Sequence, residues 1–134
     1  MSSTMDRIFD IVQISPAKGR GVVAREAIKC GTVIDVAHVV LIRPEEWEKI
    51  KVTCLYDFAF EWSGEGASIT HALAMGPGEF INHSYEPNAQ YLMDYNNKLI
   101  TFTAIKDIAA GEEITVNYNG EVCNKDKLWF SPVV

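Results

Sequence analysis

Apolar positions in this chain fall in short runs, many alternating with polar ones and separated by turn residues, which is the pattern of β-strands. Residues 7–14 carry Ile8, Phe9, Ile11, Val12 and Ile14 and stop at Ser15-Pro16, which predicts a strand followed by a Gly-rich turn. Residues 21–25 (GVVAR) predict a second short strand. The stretch 32–42 is rich in β-branched residues that suit a pleated backbone; with Asp35 and His38 interrupting it, two short strands or one long bent strand fit. Residues 91–103 predict a hairpin turning at Asn96-Asn97. Its second arm alternates, Leu99, Thr101 and Thr103 on one side and Ile100, Phe102 and Ala104 on the other. Residues 113–118 (EITVNY) predict the last strand.

Helical signals are few. Residues 44–49 (PEEWEK) predict one or two turns, with Pro at the first helical position and acids beside the N-terminus. The run 53–62 (TCLYDFAFEW) suits either state, since Leu55, Phe58 and Trp62 share a helix face while Tyr56, Phe58 and Phe60 share a strand face. Residues 27–34 and 107–114 echo one another: each predicts a turn in which Gly31 or Gly111 takes a positive φ before a strand begins. Two such copies are similar turns rather than a solenoid repeat. The pattern predicts a mainly β, single domain over residues 1–134.

Composition narrows the function classes. A chain of 134 residues with 48% hydrophobic and 22% charged residues excludes wholesale disorder and fibrous repeats, and buries a core without disulfide or metal. A net charge of −6 argues against nucleic acid as a direct partner. The charge is uneven: between Lys51 and Lys98 there is no Lys or Arg, while Asp57, Glu61, Glu65, Glu79, Glu86 and Asp94 lie there. That stretch is either a solvated acidic surface or an attractor for a basic substrate. Cys30, Cys54 and Cys123 form no C-x-x-C pair, so neither a disulfide framework nor a zinc cluster is expected. With no secretory signal and no apolar run of about 18 residues, the expected setting is intracellular, cytoplasmic or nuclear, without a membrane partner.

Three clusters carry candidate chemistry. Lys18-Gly19-Arg20-Gly21 lets backbone approach a ligand closely, though alone it is also an ordinary tight turn. Phe80-Ile81-Asn82-His83-Ser84, followed by Pro87-Asn88, is dense in specific hydrogen-bonding groups, and equally fits a capped turn. Gly111-Glu112-Glu113-Ile114-Thr115 runs through to Tyr118, a strand-end tyrosine that alone would be a half-buried aromatic.

In this order, the three clusters resemble the SET-domain protein lysine methyltransferases, over about residues 18–130, and the small size is similar to stand-alone microbial and viral members. The resemblance implies small curved sheets, few short helices and a C-terminal pseudoknot that general topology rules disfavour, with Asn82-His83 brought beside Tyr118. It implies S-adenosyl-L-methionine as cofactor, bound by Lys18, Gly19, Arg20, Gly21, Asn82, His83, Tyr118 and Trp129, and Tyr118 as the catalytic residue. Tyr56, Phe58, Val116 and Phe130 would face the substrate lysine, although Tyr56 and Phe58 equally suit the core and Trp129 and Phe130 equally suit a packed apolar tail. The position two before the tyrosine is often Phe or Tyr in the family; Val116 here hints at a roomier channel and more than one methyl group. No Cys-rich segment follows Tyr118 and Cys123 stands alone, so the cofactor lid would come from the 129–130 region or from a partner chain in a homodimer.

The chemistry so implied is methyl transfer to a lysine of a basic protein such as a histone. The amine must be neutral to attack, and a free lysine of pKa ~10.4 costs about 4.6 kcal/mol to deprotonate at pH 7. An apolar channel and a nearby sulfonium both lower that cost. Tyr118, with an ordinary pKa of ~10, suits orienting the amine better than removing its proton. The alternative is a non-catalytic module of the same fold that binds a basic peptide, but a peptide reader needs neither the Gly-x-Gly turn nor the tyrosine. A metal-dependent hydrolase built on His71, His83 and a cysteine stands third, since those residues lack ligand spacing.

Overall fold

The structure is a computed structural model and describes residues 7–119. Its strands form two sheets. One has four strands in the order β1 (Phe9–Ser15), β2 (Gly19–Ala24), β9 (Glu113–Val116), β6 (Asn82–His83). The other has five, in the order β4 (Ala59–Glu61), β5 (His71–Met75), β3 (Val33–Ile42), β8 (Leu99–Ala104), β7 (Ala89–Asp94). A single α-helix among the described residues, α1 (Pro44–Ile50), starts with Pro in its first turn as the sequence predicts. No helix among the described residues is long and apolar enough to cross a membrane.

The alternation in β8 sets the core. Ile100 and Phe102 are completely buried and Ala104 nearly so, while Leu99, Thr101 and Thr103 face the other way. With Ile108, Ile114, Val22 and Trp62 they fill the space between the sheets, each large side chain contributing ~1.5–3 kcal/mol by burial. The stretch 32–42 resolves as one long strand whose register slips between Val33 and Asp35. The undecided run 53–62 divides: a 3-10 turn (Cys54–Phe58), whose start is fixed by the Leu55 N–H donating to Thr53 Oγ1, passes into β4. Strand β5 is a strand the pattern did not predict. Its core-facing residues are Ala72 and Ala74, whose small side chains give little hydrophobic contrast yet leave room for the neighbouring chain.

The two echoed turns meet face to face. Ile28 and Ile108 exchange both backbone hydrogen bonds, at 2.8 and 2.7 Å. The Gly31 N–H donates to the Ala104 carbonyl, and the Gly111 N–H donates to the Ala24 carbonyl. These partners are related by the same sequence offset, so the repeat forms a local two-fold linking the two sheets. Gly31 and Gly111 sit at φ +90° and +84°, the conformation expected of them.

Candidate active site

The second and third clusters are joined by a parallel pairing: Asn82 lies opposite Thr115 and His83 opposite Val116. Two residues alone make a weak ladder, and buried Asn88 secures it. Its Nδ2 donates to the Glu113 carbonyl at 2.8 Å and to Glu112 Oε2 at 3.0 Å, and its Oδ1 accepts the Thr115 N–H at 2.9 Å. Asn88 thereby acts as an extra strand edge for β9.

That pairing brings Tyr118 against His83, with ring centroids 5.3 Å apart. His83 Nδ1 accepts the Tyr118 backbone N–H at 3.0 Å, which leaves the proton of the neutral ring on Nε2. Burial holds the His83 pKa down, in keeping with that neutral form. Nε2 is buried and meets no partner among the described residues. The Tyr118 hydroxyl donates to the Ile81 carbonyl at 2.8 Å, and the Tyr91 hydroxyl donates to the Tyr118 carbonyl at 3.3 Å. Burial first, and then the negative charges of Glu79 and Glu113, push the Tyr118 pKa well above the usual phenol value; burial pushes Tyr91 up to about 12. Tyr118 is therefore a neutral hydroxyl at any working pH.

The first cluster joins through Glu113. Lys18 Nζ pairs with its Oε1 at 2.5 Å, and Asn82 Nδ2 donates to its Oε2 at 2.8 Å and to the Arg20 carbonyl at 3.1 Å. Gly21 permits this approach: a Cβ there would lie 2.6 Å from Asn82 Nδ2 and 2.8 Å from Glu113 Oε2. The Arg20 guanidinium lies over the Phe80 ring, 4.4 Å from its centroid.

Two cavities flank Tyr118. The smaller, about 500 Å³, is lined by Lys18, Arg20, Phe80 and Asn82. The larger, about 570 Å³, has Phe60, Ile81, Tyr91 and Val116 in its wall, with Glu61 among its acids. Asp57, Phe58, Glu79 and Tyr118 line both, so the cavities meet at these four side chains. Such concave, part-apolar spaces with a few convergent polar groups are typical ligand sites.

Of the residues singled out in the sequence, Lys18, Arg20, Asn82, Phe58, Val116 and Tyr118 line these cavities, while Gly19 and Gly21 shape the backbone behind them. The ring of His83 faces Tyr118 and Tyr85 rather than either cavity. Tyr56 departs from its expected place. It is 40% exposed and stacked on Trp47, and lines neither cavity. A 3-10 turn has three residues per turn, so positions two apart point in different directions, and Phe58 takes the inward one. Trp129 and Phe130 lie outside the described residues. His71 stacks on Trp47, and no three His, Cys, Asp or Glu side chains among the described residues are grouped as a metal site requires. Asp57, Glu79 and Glu113 were missed as site residues, because a single acid in a short apolar or turn segment ordinarily reads as a solvated side chain; only the absence of Lys and Arg around Asp57 and Glu79 marked the region.

The SET domain family profile matches residues 19–119, from the first cluster to just past Tyr118. The chain belongs to the SET-domain family. A Schizosaccharomyces pombe histone-lysine N-methyltransferase specific for H3 lysine-37 is 34% identical to this SET domain over 114 residues, covering 84% of this chain and 71% of the relative. Polycomb Repressive Complex 2 of Chaetomium thermophilum, in a humanized mutant bound to an inhibitor, is similar in structure at 28% identity and a TM-score of 0.64, covering 83% of this chain and 14% of that one. The Neurospora histone lysine methyltransferase DIM-5 shares the fold at 22% identity and a TM-score of 0.64, covering 94% of this chain and 56% of that one. Family and relatives together make this SET domain a protein-lysine N-methyltransferase.

Proposed function

We propose that this chain, a single SET domain, uses S-adenosyl-L-methionine to methylate a lysine of a basic protein such as a histone. The observation that carries the reading is the meeting of two cavities at Tyr118, one with cations and an amide, the other aromatic and acidic. The smaller cavity fits the cofactor's chemistry. Lys18 and Arg20 suit its carboxylate, the Asn82 side-chain oxygen suits its ammonium, and the faces of Phe58 and Phe80 suit a sulfonium. The larger cavity suits a lysine side chain, with Phe58, Phe60 and Val116 around the methylene stem and Asp57 and Glu61 at exposed positions to attract a basic segment. A histone-like substrate makes chromatin the expected place of action.

When bound, the cofactor supplies an electrophilic methyl group on a sulfonium centre. The protein's part is alignment, since a displacement of this kind is accelerated chiefly by holding the reactants in a near-attack geometry. Tyr118 is suited to that part. Its hydroxyl hydrogen is directed to the Ile81 carbonyl, which fixes the orientation in which the oxygen can accept an amine N–H. Its backbone is held by His83 and Tyr91, so the oxygen has little freedom to shift.

Calorimetry with S-adenosylmethionine on the chain and on Asn82→Ala tests the reading, followed by methyl transfer to core histones. Micromolar binding weakened by the substitution, with transfer to a histone lysine, is the expected result. Binding of a basic peptide with no transfer would favour the non-catalytic alternative and refute the enzymatic one.

A further inference from the structure

A lysine amine arrives at Tyr118 protonated, and the proton needs a destination. Tyr118 is not one, because it donates to Ile81 and its ionisation is pushed away from the working range. Among the four side chains where the cavities meet, only Asp57 and Glu79 can accept a proton. Asp57 is exposed to water, whereas Glu79 is half-buried, on a 3-10 turn (Pro77–Phe80) that leads directly into Ile81 and Asn82. The turn is anchored at two points. The Gly78 N–H donates to Asp35 Oδ2 at 3.2 Å, and Glu79 Oε1 accepts the Ala74 N–H at 2.9 Å.

We propose that Glu79 takes the proton from the ammonium of the target lysine, through the carboxylate oxygen not engaged by Ala74. The assignment rests on the methyltransferase reading above. In the step, the lysine N–H bond breaks, its electron pair stays on nitrogen, and the proton passes to Glu79. The freed pair then forms the N–C bond as the C–S bond of the sulfonium donor breaks, with that pair going to sulfur. The Glu79 proton leaves to water and restores the carboxylate.

The surroundings suit this exchange. Burial, only partly offset by the Ala74 N–H, raises the Glu79 pKa to about 8, close to that of a lysine lowered by an apolar channel, and proton transfer is most efficient between groups so matched. The other charged and titratable groups lining the same two cavities are Lys18 and Arg20 on the cofactor side, Asp57 and Tyr118 at the junction, and Glu61, Tyr91 and Tyr95 on the substrate side; Asp35 lies behind the turn. An incoming ammonium adds a cation beside Glu79 and shifts it toward the carboxylate as the amine needs it.

Glu79→Gln tests the assignment, since a glutamine oxygen still accepts the Ala74 N–H. S-adenosylmethionine binding should persist while single-turnover methyl transfer falls about 100-fold or more, with the rise of rate with pH displaced upward. Glu79→Asp, too short to reach Ala74 but still a carboxylate, should recover part of the rate, which a purely structural role would not allow. Carbon-13 NMR of the chain without cofactor should show the Glu79 carboxyl titrating near 8 and moving lower when a lysine-containing peptide binds. An active wild-type chain whose Glu79→Gln variant matches it in rate and pH profile would overturn the Glu79 assignment alone. A wild-type chain that binds no S-adenosylmethionine would overturn the methyltransferase reading and this step with it.

Discussion

Replacing Glu79 by glutamine should make the protein progressively more stable than wild type as pH rises from 5 to 9, whatever its substrate. The carboxyl, ordinarily near 4.5, is raised to about 8 in the folded chain. A carboxyl whose folded pKa lies above its unfolded one keeps its full contribution below the unfolded value, and stability is lost as pH climbs toward the folded value. Between 4.5 and about 8 the folded protein therefore loses stability that the glutamine variant keeps. At 1.36 kcal/mol per pKa unit the loss is on the order of 4 kcal/mol, or roughly 15 °C in Tm for a domain of this size. Urea unfolding of both chains at several pH values isolates the effect, because every other titrating group is common to the two. A fixed energetic cost of the amide would offset the two curves without changing how they diverge. Parallel curves across this range would refute the burial argument and show the carboxyl to be solvated.

Further outcomes follow from the same geometry. Tyr118→Phe removes the hydroxyl's hydrogen bond to Ile81 and should cost about 1–2 kcal/mol of stability, with turnover on histones falling about 100-fold and S-adenosylmethionine affinity retained; unchanged turnover would remove Tyr118 from the mechanism. Asn88→Ala strands the Thr115 N–H and the Glu113 carbonyl in a buried setting and should cost about 3 kcal/mol in chemical denaturation, a loss below about 1 kcal/mol showing that β9 is held by other means. Gly21→Ala drives a Cβ to 2.6 Å from both Asn82 Nδ2 and Ile14 Cγ1, and calorimetry should show S-adenosylmethionine binding weakened at least about tenfold.

What could be read from the sequence follows the physics of each element. Strand β8 was legible because its two faces differ sharply, Ile100 and Phe102 against Thr101 and Thr103. The echoed turns were legible because a positive φ before a strand demands glycine. Their meeting as a local two-fold was not, since it depends on hydrogen bonds between segments about eighty residues apart in sequence. Strand β5 was hidden by its alanines, and the 53–62 run was ambiguous because it is in fact half 3-10 turn and half strand. Tyr118 and Asn82 were found through the company they keep in the motif. Glu79 escaped because nothing in its neighbours distinguishes a half-buried acid from a surface one.

Glu113 explains why three separately weak motifs are informative together. Its carboxylate joins Lys18 from the first cluster to Asn82 from the second, while its backbone carbonyl accepts from Asn88 and its strand leads into the turn that carries Tyr118. Gly21 must lack a side chain for this to fit. Removing any one member leaves a charge or an amide of another without its partner in a largely buried setting, where such a loss is costly. The motifs are therefore one hydrogen-bonded unit divided among distant stretches of chain, and a protein that kept the fold but no longer needed the site would be free to lose the unit as a whole. This chain keeps every member of it, and the unit presents Lys18 and Asn82 to the smaller of the two cavities that meet at Tyr118.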